Sequence, residues 1–313
     1  MIITITLNPA IDRTLRIDKP LQPNKLNRAI GSQVEPGGKG INVSRAIKAI
    51  GGESVAIAFS AGTNGRALKD ALTSMDIHHD FVDVPGQTRV NIQIIDNCGD
   101  HTEINEPGDK ISDGDYLRFL ERVEGYLDPE NIFVLSGSTP PGFSLKNFGK
   151  LCRVIKDAGC RLIVDAAGEW LLEALKYKPD CVKPNLFELA DVVGDKPTID
   201  PEAVAASARK LLDMGAGIVC VSMGQEGAVY VSKDSSEALY ANTNPKIQEE
   251  GAVGTGDSIV AAIANGMRQD IKLDEIAKFS VAAGRACARL PGTEMATLKK
   301  VYEVYEMVEL YTI

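Results

Sequence analysis

The 313 residues can bury a large core, as one big domain or one domain with an appendage; 44% are hydrophobic and 25% charged, the make-up of an ordinary soluble globular protein. A formal net charge of −9 argues against general attraction to nucleic acid or to an anionic membrane. An anionic ligand must therefore be met by a local cluster of basic side chains and backbone N–H groups.

The opening run Met1-Ile2-Ile3-Thr4-Ile5-Thr6-Leu7 lacks the cationic head and long apolar core of a signal peptide and is expected to be a strand, over residues 2–7. Similar apolar runs recur at 55–59, 132–136, 161–165, 181–183 and 218–222, and Ala228 to Val231 reads as a further strand. Between them Val43, Ala46, Ile47 and Ile50 recur at helical spacing, as do Val204, Ala208, Leu211 and Leu212. Strand–helix alternation with near-continuous apolar strands predicts an α/β fold, a largely parallel sheet with helices on both faces. The runs end alike: Leu7 leads to Asn8, Leu135 to Ser136, Val164 to Asp165, Val182 to Lys183 and Val221 to Ser222. In open α/β sheets the ligand crevice lies at the carboxyl ends of the strands, although each of these residues alone could equally be a strand-end cap or turn residue.

Two segments depart from this pattern. Ile11-Asp12-Arg13-Thr14-Leu15-Arg16-Ile17 and Val90-Asn91-Ile92-Gln93-Ile94 alternate with period two, the second turning at Asn97-Cys98-Gly99-Asp100 and returning from His101 to Glu106. They predict half-buried antiparallel strands standing over the crevice as a small β lid. Residues 10–36 and 87–106 would form the lid, and residues 1–9, 37–86 and 107–313 the main body. A small sheet with one apolar face wants cover, which a second subunit could supply in a homodimer. No window approaches about 18 uninterrupted apolar residues, so no membrane span is expected. Cys98, Cys152, Cys160, Cys181, Cys220 and Cys287 form no C-x-x-C pair and read as reduced thiols of a cytoplasmic protein. His78, His79 and His101 show no metal-ligand spacing and read as exposed loop or lid residues.

Val253-Gly254-Thr255-Gly256-Asp257-Ser258 runs straight into an apolar helical stretch. Two glycines free the backbone to turn N–H groups toward one point, where the helix adds the positive end of its dipole. A carboxylate at the rim of such an anion hole suits a phosphoryl transferase, which needs a base to orient and deprotonate the attacking hydroxyl. Asp257 as a helix N-cap after a glycine turn is the other reading the spacing allows. A second cluster, Glu35-Pro36-Gly37-Gly38-Lys39-Gly40-Ile41-Asn42-Val43, brings N–H groups, an ammonium and a carboxamide to a helix start, or else forms a flexible loop with a solvated lysine. It is not a Walker A loop, since Gln33 stands at the first glycine position and Lys39 is followed by glycine; no strand leads into G-x-G-x-x-G, which counts against a nicotinamide or flavin enzyme.

Gly37-Gly38-Lys39-Gly40-Ile41-Asn42-Val43-Ser44-Arg45-Ala46, together with Gly254-Thr255-Gly256-Asp257, resembles the two signatures of the ribokinase-like (phosphofructokinase-B type) carbohydrate kinases, and the resemblance spans essentially the whole chain. Thr6-Leu7-Asn8-Pro9-Ala10-Ile11-Asp12, Leu135-Ser136-Gly137-Ser138-Thr139-Pro140-Pro141-Gly142 and Lys183-Pro184-Asn185-Leu186-Phe187-Glu188 resemble the branch that phosphorylates ketohexose phosphates, 1-phosphofructokinase and tagatose-6-phosphate kinase. The resemblance implies a three-layer ribokinase-like fold and an ATP- and Mg²⁺-dependent kinase. Fructose 1-phosphate would be converted to fructose 1,6-bisphosphate by direct in-line transfer. Tagatose 6-phosphate and fructose 6-phosphate are the alternative acceptors, and a non-catalytic sugar-phosphate sensor is the alternative of a different class.

Roles follow from the same resemblance. Asp257 would be the catalytic base, with the N–H groups of Gly254, Thr255 and Gly256 stabilising charge on the transferring phosphoryl group. Asn185 and Glu188 would help hold Mg²⁺ through its waters, unless they are simply a helix cap with its glutamate. Lys183 would contact nucleotide phosphate, and Ser222, Gly224 and Gly227 would let backbone approach ATP. Ala282, Ala283, Gly284, Ala286 and Cys287 would pack near the adenine, or simply pack helices together. Asp12 and Asn42 suit sugar hydroxyls, alongside Gly37, Gly38 and Asn91. Lys39 and Arg89, with Lys25 and Ser138, suit the phosphate already on the substrate, a solvated lid face being the other reading of Arg89 and Lys25. Glu249-Glu250-Gly251-Ala252-Val253 departs from the family's usual approach to its glycine loop, which puts any monovalent-cation site there in question.

Overall fold

The computed structural model describes residues 1–246 and 253–313. Among them an eleven-stranded sheet forms the centre. Its parallel part runs, in spatial order, His78–His79, Ser54–Ala61, Ile2–Thr6, Ile132–Ser136, Arg161–Asp165, Cys181–Val182 and Ile218–Ser222. Val82–Val84 also pairs with Ser54–Ala61. Ala228–Ser232, Ala238–Thr243 and Val308–Thr312 extend it in antiparallel fashion, so the chain's last residues form the edge strand, which the sequence alone did not suggest.

Alternation along these strands builds two cores. Ile3, Ile5, Phe133, Leu135, Leu162 and Val164 face helices Asp113–Glu124, Leu145–Asp157 and Gly168–Leu175. Ile2, Ile132, Val134, Ile163 and Cys181 face helices Lys39–Ala49, Thr255–Arg268 and Leu273–Ala288. With each large apolar side chain contributing roughly 1.5–3 kcal/mol on burial, both faces must be covered, and the result is three layers.

A separate four-stranded sheet has the order Ala29–Gly37, Ala10–Ile17, Arg89–Ile95, His101–Asn105. Its central pair is parallel, not antiparallel as the alternation suggested, because the chain crosses the main sheet between those strands. The two outer pairs are antiparallel. Register places Glu35, Asp12, Asn91 and Asn105 in one row, and Val34, Arg13, Ile92 and Ile104 in the next, on the opposite face. The first face is polar and looks into the crevice. The second is largely apolar, with Val34 and Ile104 each 54% exposed. Among the described residues no helix is long and apolar enough to cross a membrane.

Candidate active site

The carboxyl ends of the parallel strands supply the floor of the site. Asp165 and Ser136 are register partners on neighbouring strands, and the Ser136 hydroxyl donates to Asp165 Oδ2 at 3.0 Å. Asp165 is 1% exposed, with Lys39 Nζ at 3.4 Å and Lys183 Nζ at 3.3 Å. Burial pushes its carboxyl up, but Lys183, Lys39 and the serine bond outweigh burial and hold it below its ordinary value. Lys39 reaches this position because Gly38, at φ 104°, starts its helix hard against the first strand. A Cβ there would lie 2.8 Å from Thr6 Cγ2.

Gly254 is the N-cap of helix Thr255–Arg268, at φ 81°, and no side chain caps that helix. Asp257 is therefore the third helical residue and not the cap. The first intrahelical bond runs from the Ser258 N–H to the Gly254 carbonyl, so the N–H groups of Gly254, Thr255, Gly256 and Asp257 have no partner within the helix, and the three expected donors are among them. Asp257 is buried, and its Oδ2 accepts from Asn42 Nδ2 at 3.0 Å. Its carboxyl is raised to about 6, first by burial and then by the charge of Asp165, against the opposing pull of Lys39, Asn42 and Lys183.

These groups open into one cavity of about 630 Å³, a volume in the usual range for small-molecule sites. Asp12, Arg89 and Asn91 line it from the small sheet, with Gly38, Lys39 and Asn42 beside them. Lys183, Asn185, Glu188, Ser222 and Gly224 line it as well, as do Gly254, Gly256 and Asp257. Gly227 and Thr255 border an adjoining pocket of about 80 Å³, into which Gly284 also faces. Ala282, Ala283, Ala286 and Cys287 line neither cavity and lie in the core, which favours the helix-packing reading for them.

Three of the expected site residues, Lys25, Gly37 and Ser138, line neither cavity, and several of the others have protein partners there. Lys25 is exposed and does not line the cavity, nor does Ser138, whose hydroxyl accepts weakly from Asn8 Nδ2 at 3.4 Å. Gly37 packs against Asp12, where a Cβ would meet Asp12 Cγ at 2.3 Å, and it does not line the cavity. Arg89 is not a solvated lid residue: its guanidinium donates to the carbonyls of Asn8 and Glu106. Asn42 lines the cavity and also serves the protein: its Oδ1 accepts from Arg45 and one N–H of its Nδ2 donates to Asp257, which leaves a second N–H and a second lone pair. Asn185 is a helix cap accepting from the N–H groups of Phe187 and Glu188, while Glu188 Oε2 accepts from the Asn185 N–H. Asp12 is braced by Asn91 Nδ2 at 2.8 Å, and burial raises its carboxyl above the ordinary value although that bond opposes the rise.

Sequence reasoning missed Asp165 as the anion between the two lysines, Glu103 in the cavity lining, and Arg45, which holds Asn42. Glu249, Glu250, Gly251 and Ala252, where the departure from the family pattern begins, lie outside the described residues. Among the described residues no group of three or more His, Cys, Asp or Glu could hold a metal ion.

A buried carboxylate poised near neutrality beside an uncapped helix start can take a proton from an alcohol while the helix receives an anion, the arrangement required of a phosphotransferase with an alcohol acceptor. Residues 1–300 match the model of the pfkB family carbohydrate kinases. A 1-phosphofructokinase of Bacillus subtilis (strain 168) is 37% identical over 288 residues, 92% of each chain. A tagatose-6-phosphate kinase of Staphylococcus epidermidis is 30% identical over 312 residues, 99% of each chain. The crystal structure of phosphofructokinase-2 from Escherichia coli in complex with potassium is 31% identical, with a TM-score of 0.92 over 97% of this chain and 98% of that one. The chain belongs to the pfkB family of carbohydrate kinases.

Proposed function

We propose that this protein transfers the terminal phosphoryl group of ATP to fructose 1-phosphate, giving fructose 1,6-bisphosphate in the cytoplasm. The observation that carries the reading is Asp257: a desolvated base near pH 6, at the mouth of a helix, in the same cavity as Lys39 and Arg89. Asp257 takes the proton of the free hydroxymethyl group as its oxygen attacks. The N–H groups of Gly254, Thr255 and Gly256 receive the charge that gathers on the transferring phosphoryl group. Asp12 orients ring hydroxyls, and Lys39 and Arg89 grip the phosphate already present. Lys183 and the backbone at Ser222, Gly224 and Gly227 accommodate the nucleotide.

Mg²⁺ fits this donor set sparingly. Glu188 keeps Oε1 without a protein partner among the described residues, whereas Asn185 has committed its oxygen to the cap. Glu188 would hold the ion through water, as suits a cation that keeps several waters and binds mostly to phosphate. When bound, the ion neutralises charge on the nucleotide phosphates.

Residues 10–36 and 87–106 serve as a lid that excludes water during transfer. The lid's apolar outer face, with Val34 and Ile104 exposed, supports a homodimer formed through that sheet. Tagatose 6-phosphate is the second acceptor to test, favoured by the Staphylococcus epidermidis relative. A ketohexofuranose carries hydroxymethyl arms on both sides of its ring oxygen, so a pocket gripping one arm could present either. ADP release measured across fructose 1-phosphate, tagatose 6-phosphate, fructose 6-phosphate and unphosphorylated hexoses decides among them. A preference for the unphosphorylated sugars would refute the phosphate-gripping roles of Lys39 and Arg89.

A further inference from the structure

Arg45 lies on helix Lys39–Ala49 and is 7% exposed, a degree of burial that a guanidinium tolerates only when its donors are used. Nη1 donates to the Pro36 carbonyl at 3.1 Å, to Asn42 Oδ1 at 3.1 Å and to Thr293 Oγ1 at 3.2 Å. Nη2 donates to Glu35 Oε1 at 2.9 Å and to the Thr293 carbonyl at 3.1 Å. The side chain thus ties together the end of strand Ala29–Gly37, its own helix, and the loop after helix Leu273–Ala288. Arg45 does not line the substrate cavity.

The consequence falls on Asn42, three residues earlier on the same helical face. A guanidinium only donates, so the side of the Asn42 amide that meets Arg45 must be its oxygen. The amide NH₂ must then face Asp257, where it donates to Oδ2 at 3.0 Å. That bond engages one carboxylate oxygen and leaves the other for the proton of the acceptor. Without Arg45 the amide is free to turn over and set its oxygen against a buried carboxylate, which repels the charged form of the base.

We propose that Arg45 is a positioning residue that fixes the orientation of the Asn42 amide and thereby aims Asp257. The proposal rests on Asp257 being the base. Because Glu35 and Pro36 belong to the small sheet, the same contacts tether that sheet to the base.

The test is steady-state kinetics from about pH 5 to about pH 9, by ADP release with fructose 1-phosphate, on Arg45→Lys and on the double variant Arg45→Met with Glu35→Gln, which leaves no buried charge unpaired. Asp257→Asn serves as the reference. In the Arg45 variants kcat should fall about tenfold or more, with a smaller change in KM. The acid limb of kcat/KM should move up by about one unit, because a carboxylate deprived of a donor keeps its proton more tightly. Folded Arg45 variants whose acid limb stays in place would overturn the positioning role, even if kcat drops. Should neither variant fold, Thr293→Val removes one anchor, and it must move the limb in the same direction or the proposal fails. Asp257→Asn separates the two levels: full turnover there refutes the base and the proposal together. Lost turnover there with unshifted Arg45 profiles refutes the positioning role alone.

Discussion

Asp257→Asn should make the protein more stable while removing most of its turnover. The Asp257 carboxyl lies at about 6 against an ordinary 3.8, a rise of roughly 2 units, on the order of 3 kcal/mol. The sign follows from which state holds the proton. With its folded value raised, the native protein binds the proton more tightly than the unfolded chain does. That stabilisation is full below 3.8 and is lost as pH rises through about 6. At about pH 8 the wild type carries a buried charge that the amide avoids, and the oxygen of the substituted side chain can still accept from Asn42. The variant's advantage should grow by about 1.5 kcal/mol between about pH 5 and about pH 8. Urea unfolding of both proteins at the two pH values measures it, and ADP release should fall by roughly 10²–10⁴-fold. A stability difference that does not change with pH would mean that the carboxyl is not desolvated as the fold places it. Turnover that survives would remove it from the chemistry.

Lys39→Met takes a cation from beside both Asp165 and Asp257, so the acid limb of kcat/KM should rise and KM for fructose 1-phosphate should increase roughly 10- to 100-fold. An unchanged KM contradicts the phosphate-gripping role. Gly227→Ala should cost more than about 3 kcal/mol, because φ is 89° and the new Cβ would sit 2.0 Å from the Ala241 carbonyl oxygen, in a hairpin with no flexible atom to yield; an unaltered melting temperature would refute this. A thiol reagent should modify Cys98 alone in the native protein and all six cysteines after denaturation, counted by absorbance; rapid native reaction of a second thiol would contradict the burial of the other five. Chelation with EDTA should stop ADP release and added Mg²⁺ should restore it, whereas residual turnover above about a hundredth would show that the cation is dispensable.

The parallel half of the sheet was legible because strands covered on both faces carry their burial in their own residues; Ile2–Thr6 is buried at every position. The edge strand Val308–Thr312 was not, since only Val308 of its five residues is buried and no period-two signal survives. The parallel pairing of Ala10–Ile17 with Arg89–Ile95 depends on the route of the chain between them, which neither segment encodes. In the site, glycine loops and strand-end polar residues could be read locally because backbone geometry demands them. Side-chain partners were not legible where they come from across the fold. A carboxamide reads the same whether it meets a sugar or a protein group, so the protein partners of Asn42 could not be read locally, although both it and Asn185 line the cavity. For Asn185 the cap signature was in plain view, and the cap is made because the Phe187 and Glu188 N–H groups need an acceptor. Arg45 left a usable trace: a charge set between Val43 and Ile47 in a helix that is otherwise mostly buried must find acceptors if it too is buried.

Asp165 is the omission with the largest consequence for specificity. A carboxylate 1% exposed between Lys39 and Lys183 offsets much of the positive charge that two lysines would bring to a cavity. Simple attraction of a dianion is therefore weak, in a chain whose net charge already opposes it. Discrimination between a phosphorylated and a free sugar must come from where donors point. Lys39 keeps 43% of its side chain exposed to the cavity while its charge is anchored at 3.4 Å, and Arg89 is fixed by main-chain carbonyls on either side. Donors held in this way cannot follow a misplaced phosphate, so the spacing between phosphate and attacking hydroxyl becomes the quantity the pocket measures. Replacing Asp165 with asparagine should accordingly loosen that measure: Lys39 and Lys183 lose their anchor, and the ratio of kcat/KM between fructose 1-phosphate and fructose 6-phosphate should move toward one. A ratio that holds while kcat falls would place the discrimination in the ring-hydroxyl contacts of Asp12 instead.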